Sequence, residues 1–294
     1  MNAPCSCLGA VLLSFVVSLA APAPALAESG GEESEGVVGD GYVLFPGDEF
    51  FDPLIADLRW PRFSAAHQWR LGTDEFNRVA NVSFGETFAF VQSPEYDWGR
   101  WEFGLHAMVD AIFDMTSQSF DLANEDYFVA LAFTYHGEHV TALARLSHTS
   151  SHLGDEYLLA NALDRESVSY EVVDVTASKD VYEWLRLYGG IGFYLNATPD
   201  FDPFLSQWGF ELTSPVSFGE DGLLTPIFAT DLQIRQENDW TPEVAVLAGV
   251  RIAETPKAVR NLEFFARFYH GQSPDGQFFE NTIDLVGVGF RMGF

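Results

Sequence analysis

The stretch WEFGLHAMVDAIFDM, residues 101–115, shows the architecture most clearly because its side chains alternate strictly in character. One row is wholly apolar: Trp101, Phe103, Leu105, Ala107, Val109, Ala111, Phe113 and Met115. The other row is mixed and ionisable: Glu102, Gly104, His106, Met108, Asp110, Ile112 and Asp114. A period of two is typical of a β-strand with one apolar face. Soluble strands average roughly five or six residues, whereas a tilted strand that crosses the outer membrane needs about 9–11. The length of this stretch favours a membrane strand.

The same alternation recurs along the chain and predicts strands near residues 62–71, 78–91, 100–115, 126–136, 138–149, 166–176, 182–196, 206–216, 223–236, 242–253, 261–270 and 282–294. Their number is even, as in bacterial single-chain barrels. The fold prediction is therefore all-β: a transmembrane antiparallel β-barrel of about 12 strands, of the outer-membrane type. In the last strand, apolar residues alternate up to the terminal Phe294, which resembles the C-terminal assembly signal of outer-membrane barrels. That resemblance implies the barrel-assembly machinery as a partner.

The N-terminus predicts export. Residues Leu8 to Ala21 are apolar, and Ala25-Leu26-Ala27 precedes Glu28 in a small-x-small cleavage pattern. We expect a signal peptide at 1–27, an acidic periplasmic linker or plug segment at 28–60, and the barrel at 61–294. The expected location is the cell outer membrane.

The net charge and the positions of the cysteines exclude some classes of function. The net charge is −28, which disfavours nucleic acid as a partner. Both cysteines, Cys5 and Cys7, lie in the expected signal peptide, so disulfides and thiolate metal sites are not expected in the mature chain.

Charged residues recur on the rows that we expect to face the lumen. The arginines are Arg62, Arg70, Arg145, Arg186, Arg235, Arg251, Arg267 and Arg291. The acids are Glu102, Asp110, Asp114, Glu171, Glu211, Asp231, Glu243 and Glu263. Buried charges persist when they are paired, so this pattern favours a filled lumen. A small passive channel lined by the same residues is the alternative.

One strand places polar residues on its lipid-facing row. Val140, Ala142, Ala144 and Leu146 are followed on the same row by His148 and Ser150. Two residues along a strand correspond to about 7 Å between Cα atoms, so both side chains point to one side. A base beside a hydroxyl is the minimal arrangement for nucleophilic acyl transfer.

The His148-x-Ser150 element resembles the H-x-S element of outer-membrane phospholipase A and of the lipid A deacylases. That resemblance implies that His148 is a general base and Ser150 a nucleophile on the outer wall. The phospholipase orients its histidine with an asparagine on the next strand. Here we expect the lipid-facing row of the next strand to carry Val168, Tyr170 and Val172. Asp155 and Asn161 in the following loop are then the candidates for the orienting residue.

A broader resemblance covers nearly all of the mature chain. Three stretches carry it: Leu44 to Ala65 (LFPGDEFFDPLIADLRWPRFSA), His148 to Leu158 (HTSSHLGDEYL) and Gly271 to Phe279 (GQSPDGQFF). They resemble a bacterial family known as a domain of unknown function, and S-S-H-L-G-D-E is its most specific part. The resemblance implies an exported, outer-membrane protein and no particular activity.

Three functions stay open. The first is a structural or envelope-interacting barrel without catalysis, the second an outer-leaflet lipid acyl hydrolase, and the third a passive channel. Expected partners are outer-membrane lipids and lipopolysaccharide. A divalent cation would bridge the acidic loops of the protein to the phosphates of lipopolysaccharide. His152, Asp155 and Glu156 are candidate metal ligands, and Ca²⁺ is the candidate cofactor because carboxylates suit it. Solvated loop acids are the alternative interpretation.

Overall fold

Long strands dominate the computed structural model, which describes residues 37–38, 41–72, 76–161, 167–219, 222–252 and 261–293. All of these residues belong to the unit Glu35–Phe294. The expected signal peptide, residues 1–27, and the adjoining residues 28–36 lie outside the described residues.

The strands are β1 (Val37–Val38), β2 (Tyr42–Leu44), β3 (Phe63–Leu71), β4 (Arg78–Gln92), β5 (Arg100–Asp114), β6 (Leu122–His136), β7 (Thr141–Leu153), β8 (Val168–Tyr182), β9 (Leu185–Thr198), β10 (Phe204–Thr213), β11 (Leu224–Arg235), β12 (Pro242–Ile252), β13 (Asn261–Gln272) and β14 (Thr282–Gly293). Helix α1 (Asp155–Asn161) follows β7, and short 3-10 helices lie at Gln236–Asn238 and Gly276–Phe278. Among the described residues, no helix is long and apolar enough to cross a membrane.

Strands β3 to β14 each pair antiparallel with their neighbours in the chain, and β14 returns to pair with β3. Val286 lies opposite Trp69 at this closing seam. The barrel therefore has no unpaired edge among these strands, which the membrane interior requires. The prediction of a closed antiparallel barrel of 12 strands is confirmed. The short strands β1 and β2 extend the sheet beside the end of β4, where Leu44 pairs with Val91.

The two faces of the barrel differ in the way that a membrane demands. Large apolar side chains are exposed on the outside, among them Phe84, Leu131, Phe133, Leu146, Ile191 and Phe264. Charged side chains are buried inside, among them Glu102, Asp110, Asp126, Glu211, Glu263 and Arg291. An apolar belt around a polar interior is the arrangement of outer-membrane barrels, so the wall contacts lipid.

Three strands extend four or more residues beyond their predicted bounds. β6 begins at Leu122 rather than near 126, β7 continues to Leu153, and β8 runs to Tyr182. Consequently His148 and Ser150 both lie inside a paired strand, whereas the predicted strand ended at residue 149. We call the loops after β3, β5, β7, β9, β11 and β13 the outer loops, because they face the cell exterior when both termini are periplasmic.

The segment 48–62 runs inside the barrel. The Ile55 amide donates a hydrogen bond to Glu211 Oε1 at 2.5 Å, and the Ile55 carbonyl accepts one from Arg291. Arg186 donates to the carbonyl of Asp52 at 3.0 Å. Leu54 and Trp60, in the same segment, are almost completely buried. Because this segment lacks regular secondary structure, lumen-facing side chains satisfy its backbone polar groups.

Candidate functional site

His148 and Ser150 lie on the outer face of β7. Their neighbours Ser147, Thr149 and Ser151 are buried on the inner face, whereas Leu146 on the same row as His148 is exposed. Both side chains thus continue the lipid-facing row, in the half of the strand nearer the cell exterior. A polar pair on this face is unusual, because the row normally meets hydrocarbon or headgroups.

Strand pairing places Glu171 of β8 directly opposite His148. His148 Nδ1 lies 2.8 Å from Glu171 Oε1, and both side chains are about one-third exposed, at 36% and 34%. The second carboxylate oxygen, Glu171 Oε2, accepts a hydrogen bond from Asn196 Nδ2 of β9 at 2.9 Å. Three strands therefore contribute a connected polar row on the outer wall: Asn196, Glu171 and His148, with Ser150 next along β7.

The face predicted for β8 was wrong. Glu171 was expected in the lumen and Tyr170 on the outside, but the structure reverses them. The outward row of β8 continues from Glu171 through Val173, Val175 and Ala177, and the inward row ends in Asp174, Thr176 and Ser178. The prediction failed because the upper part of the inward row is itself apolar, since Val168, Tyr170 and Val172 line an internal cavity.

The other predicted site residues lie away from this row. Asp155 and Glu156 open helix α1. Asn161 ends the same helix, and its side chain donates to the carbonyl of Tyr157 at 2.9 Å. His152 is exposed on the outer face, with its ring 5.9 Å from that of Tyr127. Within the described ranges, no three His, Cys, Asp or Glu side chains are grouped closely enough to hold a metal ion.

A second polar cluster lies inside the barrel around Asp126, which is fully buried on β6. Arg59 Nη1 lies 3.1 Å from Asp126 Oδ2, and the Gly276 amide donates to the same oxygen at 3.1 Å. Asn124 Nδ2 donates to Asp126 Oδ1 at 2.9 Å. The outer loop that contains Gly276 therefore folds into the lumen and meets the segment 48–62 at one carboxylate.

Asn124 and Ser151 complete this cluster. Ser151 Oγ and the Gln277 amide both donate to Asn124 Oδ1, at 3.0 and 3.1 Å, and Gln277 Nε2 donates to the Ser151 carbonyl at 2.8 Å. The three stretches quoted above for their family resemblance thus converge: the first supplies Arg59, the second Ser151, and the third Gly276 and Gln277. Sequence reasoning missed Asn124 and Asp126, although two polar residues spaced by two at a strand end signal a shared face.

Comparison with known proteins agrees with this architecture. The family model described as "Protein of unknown function (DUF1207)" matches residues 31–294. The chain belongs to this family. No curated protein matches the chain.

Solved structures resemble this DUF1207 protein in fold. The outer membrane phospholipase of Salmonella typhi, a dimer with bound calcium, superposes with a TM-score of 0.54 at 10% identity, covering 84% of this chain and 95% of that one. The outer membrane phospholipase A of Escherichia coli gives a TM-score of 0.52 at 9% identity, with coverages of 84% and 95%. The KdgM porin gives 0.45 at 9% identity, with coverages of 79% and 98%. At these identities the likeness concerns the fold alone.

Proposed function

We propose that this DUF1207 protein is an outer-leaflet lipid acyl hydrolase, with Ser150 as nucleophile, His148 as general base and Glu171 as the residue that positions His148. One observation carries the proposal: the 2.8 Å contact between His148 Nδ1 and Glu171 Oε1 on the outer wall of the barrel. A nucleophile, a base and a group that orients the base make up the general triad arrangement.

The chemistry follows from which imidazole nitrogen is engaged. A carboxylate at Nδ1 favours the tautomer with its proton on Nδ1, which leaves Nε2 to accept the Ser150 proton. Ser150 Oγ then attacks the ester carbonyl of a lipid, and His148 returns the proton to the departing alcohol. Water, activated by His148 in the same way, cleaves the acyl-enzyme, releases a fatty acid and restores the Ser150 hydroxyl.

The surroundings suit a lipid substrate. Leu146 and Val173 are exposed on the outer wall beside His148 and Glu171, so acyl chains would pack against them. The phospholipases named above are barrel enzymes of this fold. They show that such a barrel can support lipid hydrolysis, and the assignment of this reaction here rests on His148, Ser150 and Glu171. Because one of those structures binds calcium, the assay is run with and without Ca²⁺.

The test uses the protein refolded into mixed vesicles of phospholipid and lipid A, with released fatty acid measured by mass spectrometry. We expect Ser150→Ala to lower the rate by about 10³-fold or more. Ser147→Ala is the matched control, since Ser147 lies on the same strand but on the inner face. No release by the wild-type protein, or equal release by Ser150→Ala, rejects the enzyme.

The second candidate is a non-catalytic, envelope-interacting barrel with a filled lumen. The contacts around Asp126 support it, because they join an outer loop and the segment 48–62 across the lumen. These contacts also favour a closed lumen over a passive channel. If the hydrolase assay fails while the barrel shows no conductance, this second function stands.

A further inference from the structure

The outer half of the lumen contains a cavity of about 150 Å³. Its floor includes Asp57 and Arg59 of the internal segment, and its upper wall includes Phe201, Glu237 and Phe279 from three outer loops. The cavity is separate from the row of His148 and Glu171, which lies on the opposite side of the barrel wall.

The charged groups around this cavity are already engaged by protein. Arg145 lies 3.1 Å from Asp174, Arg59 lies 3.1 Å from Asp126, and Arg235 lies 3.4 Å from Glu243. The remaining carboxylates accept protein hydrogen bonds: Asp57 from Gln207 Nε2 at 3.2 Å, and Glu237 from the amide of Asp202 at 2.8 Å. Paired charges of both signs do not select an ion, so the cavity suits an uncharged ligand.

One wall is aromatic and carries phenol groups that the protein leaves unused. Tyr170, Tyr194 and Phe201 form a cluster in which the ring centroids are 5.4 to 5.8 Å apart. Among the residues that the structure describes, neither the Tyr170 hydroxyl nor the Tyr194 hydroxyl has a hydrogen-bond partner, although both tyrosines line the cavity. Tyrosines combine an apolar ring face with a polar tip, and hydroxyls in such a wall normally find a partner.

We propose that this cavity binds one pyranose-sized, uncharged sugar ring, either as a free monosaccharide or as the terminal residue of a surface glycan. A cavity of roughly 150 Å³ holds a single six-membered ring. Sugar C–H faces pack on the aromatic wall. The tyrosine hydroxyls and the side-chain carbonyl of Gln207, whose Nε2 already donates to Asp57 and Asp231, meet the sugar hydroxyls.

The test measures binding to the full-length barrel in detergent micelles by saturation-transfer difference NMR and calorimetry. The probes are methyl glucoside, methyl galactoside, N-acetylglucosamine, glucuronic acid and the oligosaccharide released from lipopolysaccharide. We expect at least one uncharged probe to bind, and we expect Tyr170→Phe with Tyr194→Phe to weaken it about tenfold. Tyr182→Phe is the control, because Tyr182 lies at the opposite end of β8 and stacks on Trp184 outside the cavity.

The outcomes separate the sources and decide the proposal. Binding of monosaccharides supports a free sugar, and binding of the oligosaccharide alone supports a glycan terminus. Three results overturn the proposal: no binding of any probe at about 10 mM, binding of glucuronic acid without any uncharged probe, or equal affinity of wild type and the double variant. Heat-induced mobility shifts on gels show whether each variant is folded. If a variant does not fold, the titrations of the wild-type protein still test whether the cavity binds a sugar.

Discussion

Arg59 and Asp126 form an ion pair at 3.1 Å inside the barrel, and this contact joins the segment that enters the lumen to the wall of β6. Asp126 is fully buried, and the same carboxylate also accepts the amide of Gly276 from an outer loop. A single side chain therefore holds two irregular segments that approach from opposite directions. Irregular backbone is tolerated at membrane depth only where protein groups satisfy it.

We expect Asp126→Asn to destabilise the barrel by about 3–5 kcal/mol, because it leaves the Arg59 guanidinium without its counter-charge in a buried site. Urea unfolding in detergent micelles measures the change. Asp180→Asn, which alters an exposed acid near the β8–β9 turn, should shift stability by no more than about 0.5 kcal/mol. If Arg59→Met combined with Asp126→Asn costs the sum of the two single changes, the pair is not coupled and this interpretation fails.

Removal of residues 48–61 should open the barrel to ions. The deletion removes Ile55 and Trp60 from the lumen and keeps strands β3 to β14, at the loss of the short pairing between β2 and β4, so that lining arginines and acids face water. Single-channel recording in planar bilayers should show no conductance for the wild-type protein and steady conductance for the deletion. A deletion of residues 28–36 serves as the control. Conductance of equal size in the wild-type protein would show that the segment does not close the lumen.

The polar row on the outer wall predicts a graded effect on lipid hydrolysis. Glu171→Gln should lower the rate by about 10²-fold or more, since the amide no longer stabilises a protonated His148. Asn196→Ala should lower it only about threefold to tenfold, because it removes one hydrogen bond to Glu171. Fatty-acid release at saturating lipid gives both rates. The reverse order of these two effects would argue against Glu171 as the positioning residue.

The fold could be predicted from the sequence because a period of two is a local property. Each strand carries its own apolar row. The number of such rows therefore gives the number of strands without knowledge of any contact. The alternation also placed His148 and Ser150 on the outer face. On β8 the same reasoning failed, because Tyr170 belongs to an apolar patch that faces the lumen. Alternation assigns the two side-chain rows of a strand to the lipid and lumen faces correctly only where the rows differ in polarity.

The partners of the site could not be predicted for a different reason. Glu171 meets His148 through strand register, and register depends on loop lengths and pairing across 23 residues of chain. Arg59 and Asp126 come together from an aperiodic segment, for which alternation gives no information. The alternation did indicate that lumen charges would be paired, and Arg186 with Glu211 and Arg251 with Glu263 are examples.

The internal segment should also make stability depend on pH. Burial raises the pKa of Glu49 from 4.5 to about 7, against a hydrogen bond from Thr87 that lowers it, and the neighbouring carboxylates of Glu102, Glu86 and Asp52 raise it further.

Between about pH 4.5 and 7 the folded protein holds a proton on Glu49 that the unfolded chain has lost. The free energy of unfolding therefore falls as pH rises through this window and is constant above it. We expect the Glu49 contribution to cost up to about 3 kcal/mol at pH 8 relative to pH 4.5. Glu49→Gln should remove this part of the pH dependence. We would measure urea unfolding of the wild type and the variant at several pH values. Their stabilities should agree near pH 4.5, and by pH 8 the variant should be the more stable. Parallel curves, or a variant that is less stable at pH 8, would show that Glu49 is ionised in the folded barrel without cost.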